Sequence, residues 1–169
     1  PHSLQQLLDF QNSLKMRQLD LLLFPNIENS CWAYSTENGR LVPGTGSTKL
    51  NSSMYPLEGF AHQPFMRKKT VTVFAEDDHF RCTVDMKDNV HDITLELLVK
   101  PEEDLIVQTI ARFNGFPYDG ICENMATLVN QLEGSKINDH FREHVYNKIG
   151  GPKGCTHLVD FFIDLISHF

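Results

Sequence analysis

The chain reads as an α+β protein: an antiparallel β-meander of three to four strands, then three helices packed on one face, with an N-terminal helix and irregular arm in front. Three observations predict this. Between Thr70 and Phe113 apolar residues alternate with polar ones at a period of two, the pattern of half-buried strands. Between Gly120 and Ser167 they recur at helical spacing instead. Strands that precede a run of helices place those helices on one face of an antiparallel sheet. A length of 169 residues suffices for one domain and an extension. The boundary falls near residue 65, giving a helix and loop or hairpin extension over 1–65 and an α+β core over 66–169.

Ser3 is a suitable N-cap, and Leu4, Leu7, Leu8 and Leu14 fall at helical spacing, so a helix runs from about Leu4 to Leu22 and stops before Pro25. From Asn26 to Pro64 the composition turns to Asn, Ser, Thr, Gly and Pro. Asn38-Gly39 is a hairpin turn signal between Cys31–Thr36 and Arg40–Val42, and Pro43 to Pro56 reads as loop. Thr70–Ala75 and Phe80–Met86 flank the acidic turn Glu76-Asp77-Asp78. In the strand Val90–Val99, His91, Ile93, Leu95, Leu97 and Val99 share one face. Pro101 to Asp104 turns the chain and Leu105–Phe113 returns. The helices cover about Gly120–Glu133, with Gly134 as the stop, then Asn138–Lys148 ahead of Gly150-Gly151, then Cys155 to about Ser167.

The formal net charge is −7, and the longest basic run is Arg67-Lys68-Lys69, a solvated strand start. Nucleic-acid binding needs clustered phosphate-neutralising charge, so it is not expected. No apolar stretch approaches the length of about 20 residues that spans a membrane, and Pro1-His2-Ser3 does not begin a signal peptide. Four cysteines are too few for a disulfide scaffold. A cytoplasmic protein with free thiols is the expectation, with room for a protein partner.

Cys122 and Cys155 each open a predicted helix, where the dipole and free amides favour the thiolate. Cys155-Thr156-His157 adds an imidazole in the same turn, and the glycines ahead of both cysteines permit close approach. His91 opens the third strand with Asp92 beside it. A strand start and two helix starts can converge at one end of such a domain. Two thiolates and two imidazoles suit zinc or a mononuclear iron, with Asp92 as orienting group or alternative ligand. The ligands are dispersed, without a Cys-x-x-Cys pair. Each residue also has a plainer reading: buried cysteine is common, and His91 can be a neutral core imidazole. Packing is favoured for Cys31 and Cys82, and Trp32 reads as a core or hairpin anchor. His62, His79, His140, His144 and His168 fall in loops or on polar faces. The turn carboxylates of Asp77, Asp78, Glu102, Glu103 and Asp104 lack calcium-loop spacing.

His91-Asp92-Ile93, the motif Pro117-Tyr118-Asp119-Gly120-Ile121-Cys122, and Gly150-Gly151-Pro152-Lys153-Gly154-Cys155-Thr156-His157-Leu158 together resemble a bacterial family called domain of unknown function 2889. The resemblance covers about Arg67 to Phe169, and the family name implies no activity. The layout is also loosely similar to iron–sulfur scaffold proteins of the NifU type, with His91-Asp92, Cys122 and Cys155-Thr156-His157 at the ligand places. A cluster needs several thiolates, so a single zinc or iron fits two cysteines better.

Three functions follow from these residues. The first is metal binding at His91, Asp92, Cys122, Cys155 and His157, related to metal or iron–sulfur handling. The second is an interaction module with structural cysteines. The third is a thiol enzyme with Cys155 as nucleophile and His157 or His91 as base.

Overall fold

The computed structural model describes residues 4–36 and 64–167. Strands β1 (Arg67–Glu76), β2 (His79–Asp88), β3 (Asp92–Lys100) and β4 (Leu105–Gly115) form one sheet in sequence order. Every neighbouring pair is antiparallel. The meander follows from its short acidic turns, where Asp77 and Asp104 take left-handed backbone angles of 49° and 51° in φ. Aspartate tolerates that region better than most residues.

Alternation decides which face is covered. Cys82, Val84 and Met86 of β2 and Ile93, Leu95, Leu97 and Val99 of β3 are all buried. Their sequence neighbours point the other way, to a polar face with pairs such as Thr94–Asp85 at 2.8 Å. The buried face receives a 3-10 segment (Cys122–Leu132), α2 (Phe141–Ile149) and α3 (Thr156–Ile166). Phe141, Val145 and Ile149 of α2 meet Leu158, Phe161, Phe162 and Leu165 of α3 in one core. Truncating Ile149, Leu158 or Leu165 to alanine would destabilise by about 2–5 kcal/mol. The first of the three helices is wound as 3-10, not α. Its buried Met125, Val129 and Leu132 keep a spacing that either winding satisfies over so few turns, so periodicity could not separate them.

The N-terminal helix α1 (Leu4–Leu23) stops ahead of Pro25. Leu4 and Leu8, expected on its apolar stripe, are exposed at 75% and 45%. Its attachment is largely polar. Ser13 Oγ accepts the Asp119 amide at 3.0 Å, and Arg17 donates to the carbonyls of Ala33 and Ser35. The buried Tyr118 hydroxyl meets Asp20 of α1 and, at 2.7 Å, the hydroxyl of Tyr34. Tyr118 and Asp119 thus act as the socket for the N-terminal arm.

The strand expected over Cys31–Thr36 is instead a 3-10 turn, Trp32–Tyr34, closed by hydrogen bonds from Tyr34 to Cys31 and from Ser35 to Trp32. Those local bonds, and the docking of Trp32 on the core, outweigh its β-propensity. The Asn38-Gly39 turn, Arg40–Val42 and the loop Pro43 to Pro56 lie outside the described residues, as do His62 and His168. Among the described residues, no helix is long and apolar enough to cross a membrane.

Candidate functional site

Between β2 and β3 the chain turns through Asn89 and Val90, and the turn is organised by Asp88. Its Oδ1 accepts the amides of Val90 at 2.7 Å and His91 at 2.6 Å, and lies 3.2 Å from His91 Nδ1. Its Oδ2 accepts two bonds from Arg67, at 2.8 and 2.6 Å. The Asp88 side chain is closed to solvent. Burial alone would raise its carboxyl, but the Val90 and His91 amides and the Arg67 guanidinium outweigh it and hold the group below its usual range. An ionised carboxylate only accepts, so His91 Nδ1 carries the proton and Nε2 keeps its lone pair.

The ring of His157, from the first turn of α3, lies 4.2 Å from that of His91, centroid to centroid and tilted by 47°. Burial lowers the pKa of both imidazoles. At His91 it is opposed by Asp88. At His157 it is reinforced by the charges of His91 and Arg67, down to about 4. Two neutral rings therefore stand side by side at neutral pH.

Cys155 lies elsewhere. It is the extended N-cap of α3, two residues before His157. Among the described residues, no hydrogen bond joins the Cys155 thiol to the imidazole ring of His91 or His157; the His157 contact is through its backbone amide. Cys155 is grouped instead with Cys31 and Cys122: the charges of Cys155 and Cys31 bear on Cys122, and that of Cys31 on Cys155. All three are free thiols.

The thiolate expected at the two helix starts is reversed. Burial pushes Cys155 up to about 11 despite the nearby Leu158 and His157 amides, and no side-chain capping bond forms. Burial likewise drives Cys122 well above its ordinary value. Here desolvation is stronger than the helix-start amides. Gly154 also has a different purpose from the one expected. A Cβ there would lie 1.8 Å from the Ile149 carbonyl oxygen, which accepts the Cys155 amide at 2.8 Å. The close approach is between backbone segments.

Asp92 is the first residue of β3 and alternation sends it to the open face, where it pairs with Lys87 at 2.8 Å. The five sequence-derived residues thus separate into His91 with His157, Cys122 with Cys155, and Asp92 alone with its lysine. Among the described residues, no three His, Cys, Asp or Glu side chains are grouped so as to hold a metal ion.

A family model described as "Protein of unknown function (DUF2889)" matches residues 68–168. The chain belongs to that family. No curated protein and no solved structure matches it, and the NifU-type likeness rests on layout alone. The DUF2889 region takes in the meander from Lys68 on, the socket at Tyr118 and both imidazoles, and it leaves out Arg67, Cys31 and α1.

Sequence reasoning missed Asp88, Arg67 and Cys31. Asp88-Asn89-Val90-His91 is a recognisable Asx turn, since Asp side chains readily accept amides two and three residues on. That signal could have found Asp88. Arg67 and Cys31 carried no local signal, because their partners are remote in sequence.

Proposed function

We propose that this DUF2889 protein binds a single divalent metal ion, zinc or iron, through His91 and His157, with Asp88 orienting His91. The observation that carries this reading is the imidazole of His91 with its Nδ1 proton committed to a buried carboxylate, beside a second neutral ring. Metal-bound histidines commonly donate their other nitrogen to a carboxylate, which fixes the tautomer and raises ligand basicity. Neutral imidazole is the ligating form. Two protein ligands leave the other positions to water or an exogenous donor, which favours an exchangeable ion over a structural one. Among the described residues no cysteine is grouped with the two rings, so the reading is a mononuclear site and not an iron–sulfur scaffold.

A thiol-enzyme reading lacks comparable support. Cys155 is a buried, protonated thiol with no imidazole partner among the described residues, whereas a nucleophile needs its base within hydrogen-bond reach.

Metal analysis of tag-free protein after equilibration with Zn(II) or Fe(II) tests the proposal. About one equivalent is expected, lost in His91→Ala and in His157→Ala and retained in a Cys122→Ala/Cys155→Ala double variant. Less than about a tenth of an equivalent in the unaltered protein would reject the metal reading under the same ligand-dependence logic. Loss in the cysteine double variant with retention in His91→Ala would move the ligands to the thiols.

A further inference from the structure

The segment that carries Cys31 and the segment that carries Cys155 lie against one another. The Trp32 amide donates to the Gly154 carbonyl at 2.6 Å, and Thr156 Oγ1 donates to the Ser30 carbonyl at 2.8 Å. Residue 32 therefore faces 154 and residue 30 faces 156, an antiparallel register that sets Cys31 directly opposite Cys155. The backbone agrees: Cys31 (φ −155°, ψ 175°), Gly154 (φ −142°, ψ −157°) and Cys155 (φ −126°, ψ 118°) are all extended. The Gly154 amide goes instead to the Gly151 carbonyl, so the Trp32–Gly154 bond is of the kind that flanks a pair without bonds of its own, whose Cα atoms in a regular antiparallel ladder are about 4.5 Å apart. Disulfides accept Cα separations of roughly 4.4–6.8 Å.

We infer that Cys31 and Cys155 form a redox site whose oxidation to a disulfide fastens the N-terminal arm to the start of α3. Burial discourages it, and falls unequally on the two thiols. Cys155 is 8% exposed, whereas Cys31 is half-buried. Burial raises the Cys31 thiol, but the amides of Tyr34 and Ala33, the Ser30 hydroxyl and the Arg17 charge work against that rise. Cys31 is accordingly the attacking group, and a small-molecule disulfide such as oxidised glutathione is the oxidant. The Cys31 thiolate attacks one glutathione sulfur, forming a mixed disulfide and releasing one glutathione thiolate. Cys155 gives its proton to solvent and attacks the Cys31 sulfur. The bond to glutathione breaks and the second glutathione leaves. Two protein thiols lose two electrons and two protons, and one oxidised glutathione becomes two thiols. Cys122, close to both, is a third thiol that the reaction does not consume.

The decisive experiment incubates folded full-length protein with oxidised glutathione, blocks residual thiols by alkylation and maps cross-linked peptides by mass spectrometry. The expected product links Cys31 to Cys155 and leaves Cys122 alkylated. It forms unchanged in Cys122→Ser, is absent in Cys31→Ser, reverts with dithiothreitol and raises Tm by roughly 5–10 °C, as closure of a long loop implies. A link from Cys122 to either other cysteine as the main product would overturn the inference. So would the absence of any link in the folded protein, or oxidation that proceeds equally in Cys31→Ser. Because no imidazole takes part, these outcomes are independent of whether His91 and His157 bind metal.

Discussion

His157 and Cys155 are two residues apart, yet they belong to regions of opposite character. The imidazole region is built around a charge. Asp88 is buried, ionised and saturated with donors, and it fixes the tautomer of His91. The thiol region has no such anchor. Burial raises all three thiols, reinforced at Cys122 by Cys155 and Cys31 and at Cys155 by Cys31. A group held in one form by specific hydrogen bonds is positioned for binding or proton chemistry. A group held protonated by desolvation is latent until an oxidant or movement reaches it. Helix-start position alone therefore does not make a reactive cysteine. Solvent access and a charged partner decide it.

The largest effect is expected from removing the Asp88 charge. Asp88→Ala should destabilise the fold by about 3 kcal/mol, since two amides and the Arg67 guanidinium lose their acceptor. Urea denaturation measures this, and a loss comparable to an ordinary surface substitution would show that Asp88 is not the organising group. Asp88→Asn should lose less, because the amide oxygen still accepts.

Acid provides a second test, of intermediate size. The folded-state pKa of His157 is about 4 against an ordinary 6.5, and that of His91 is lowered as well. The unfolded chain therefore binds protons first as pH falls. Stability is full above about pH 6.5 and declines toward pH 4, by on the order of 2 kcal/mol from His157. Asp88 is depressed relative to 3.8, so its own contribution is lost only below this window. Denaturation profiles at several pH values should show the decline in the unaltered protein and a flatter profile in His157→Asn. Equal slopes would remove His157 from the account. The smallest effect belongs to Asp92→Asn. Its partner Lys87 is on the open face, so neither stability nor metal content should change measurably. A loss of metal there would return Asp92 to the site.

The fold was legible to a large degree because its signals are local. The alternation from Ile93 to Val99 marked a strand with one buried face, and the structure buries those positions. Pro25 ended α1, and Gly134 takes the positive φ of a helix stop. The 3-10 winding of Cys122–Leu132 was not legible, because its buried positions suit two kinds of helix. The candidate site was legible in its residue types and only partly in its grouping. His91 and His157 do meet, but Asp92 turns outward.

What the sequence determined by itself was the succession of strands and helices and the set of histidines and cysteines available for chemistry. Periodicity and turn residues act over a few positions, so they can be read without the rest of the molecule. Tertiary structure alone decided which of those side chains became neighbours. Cys155 and His157, two residues apart, have different neighbours: Cys31 and Cys122 bear on the one and the His91 ring lies against the other. Antiparallel docking of the arm brings Ser30 to Thr156, 126 residues apart in sequence, and with it Cys31 to Cys155. Burial then set the protonation of each thiol and imidazole, because desolvation depends on what packs around a group and not on its place in the chain.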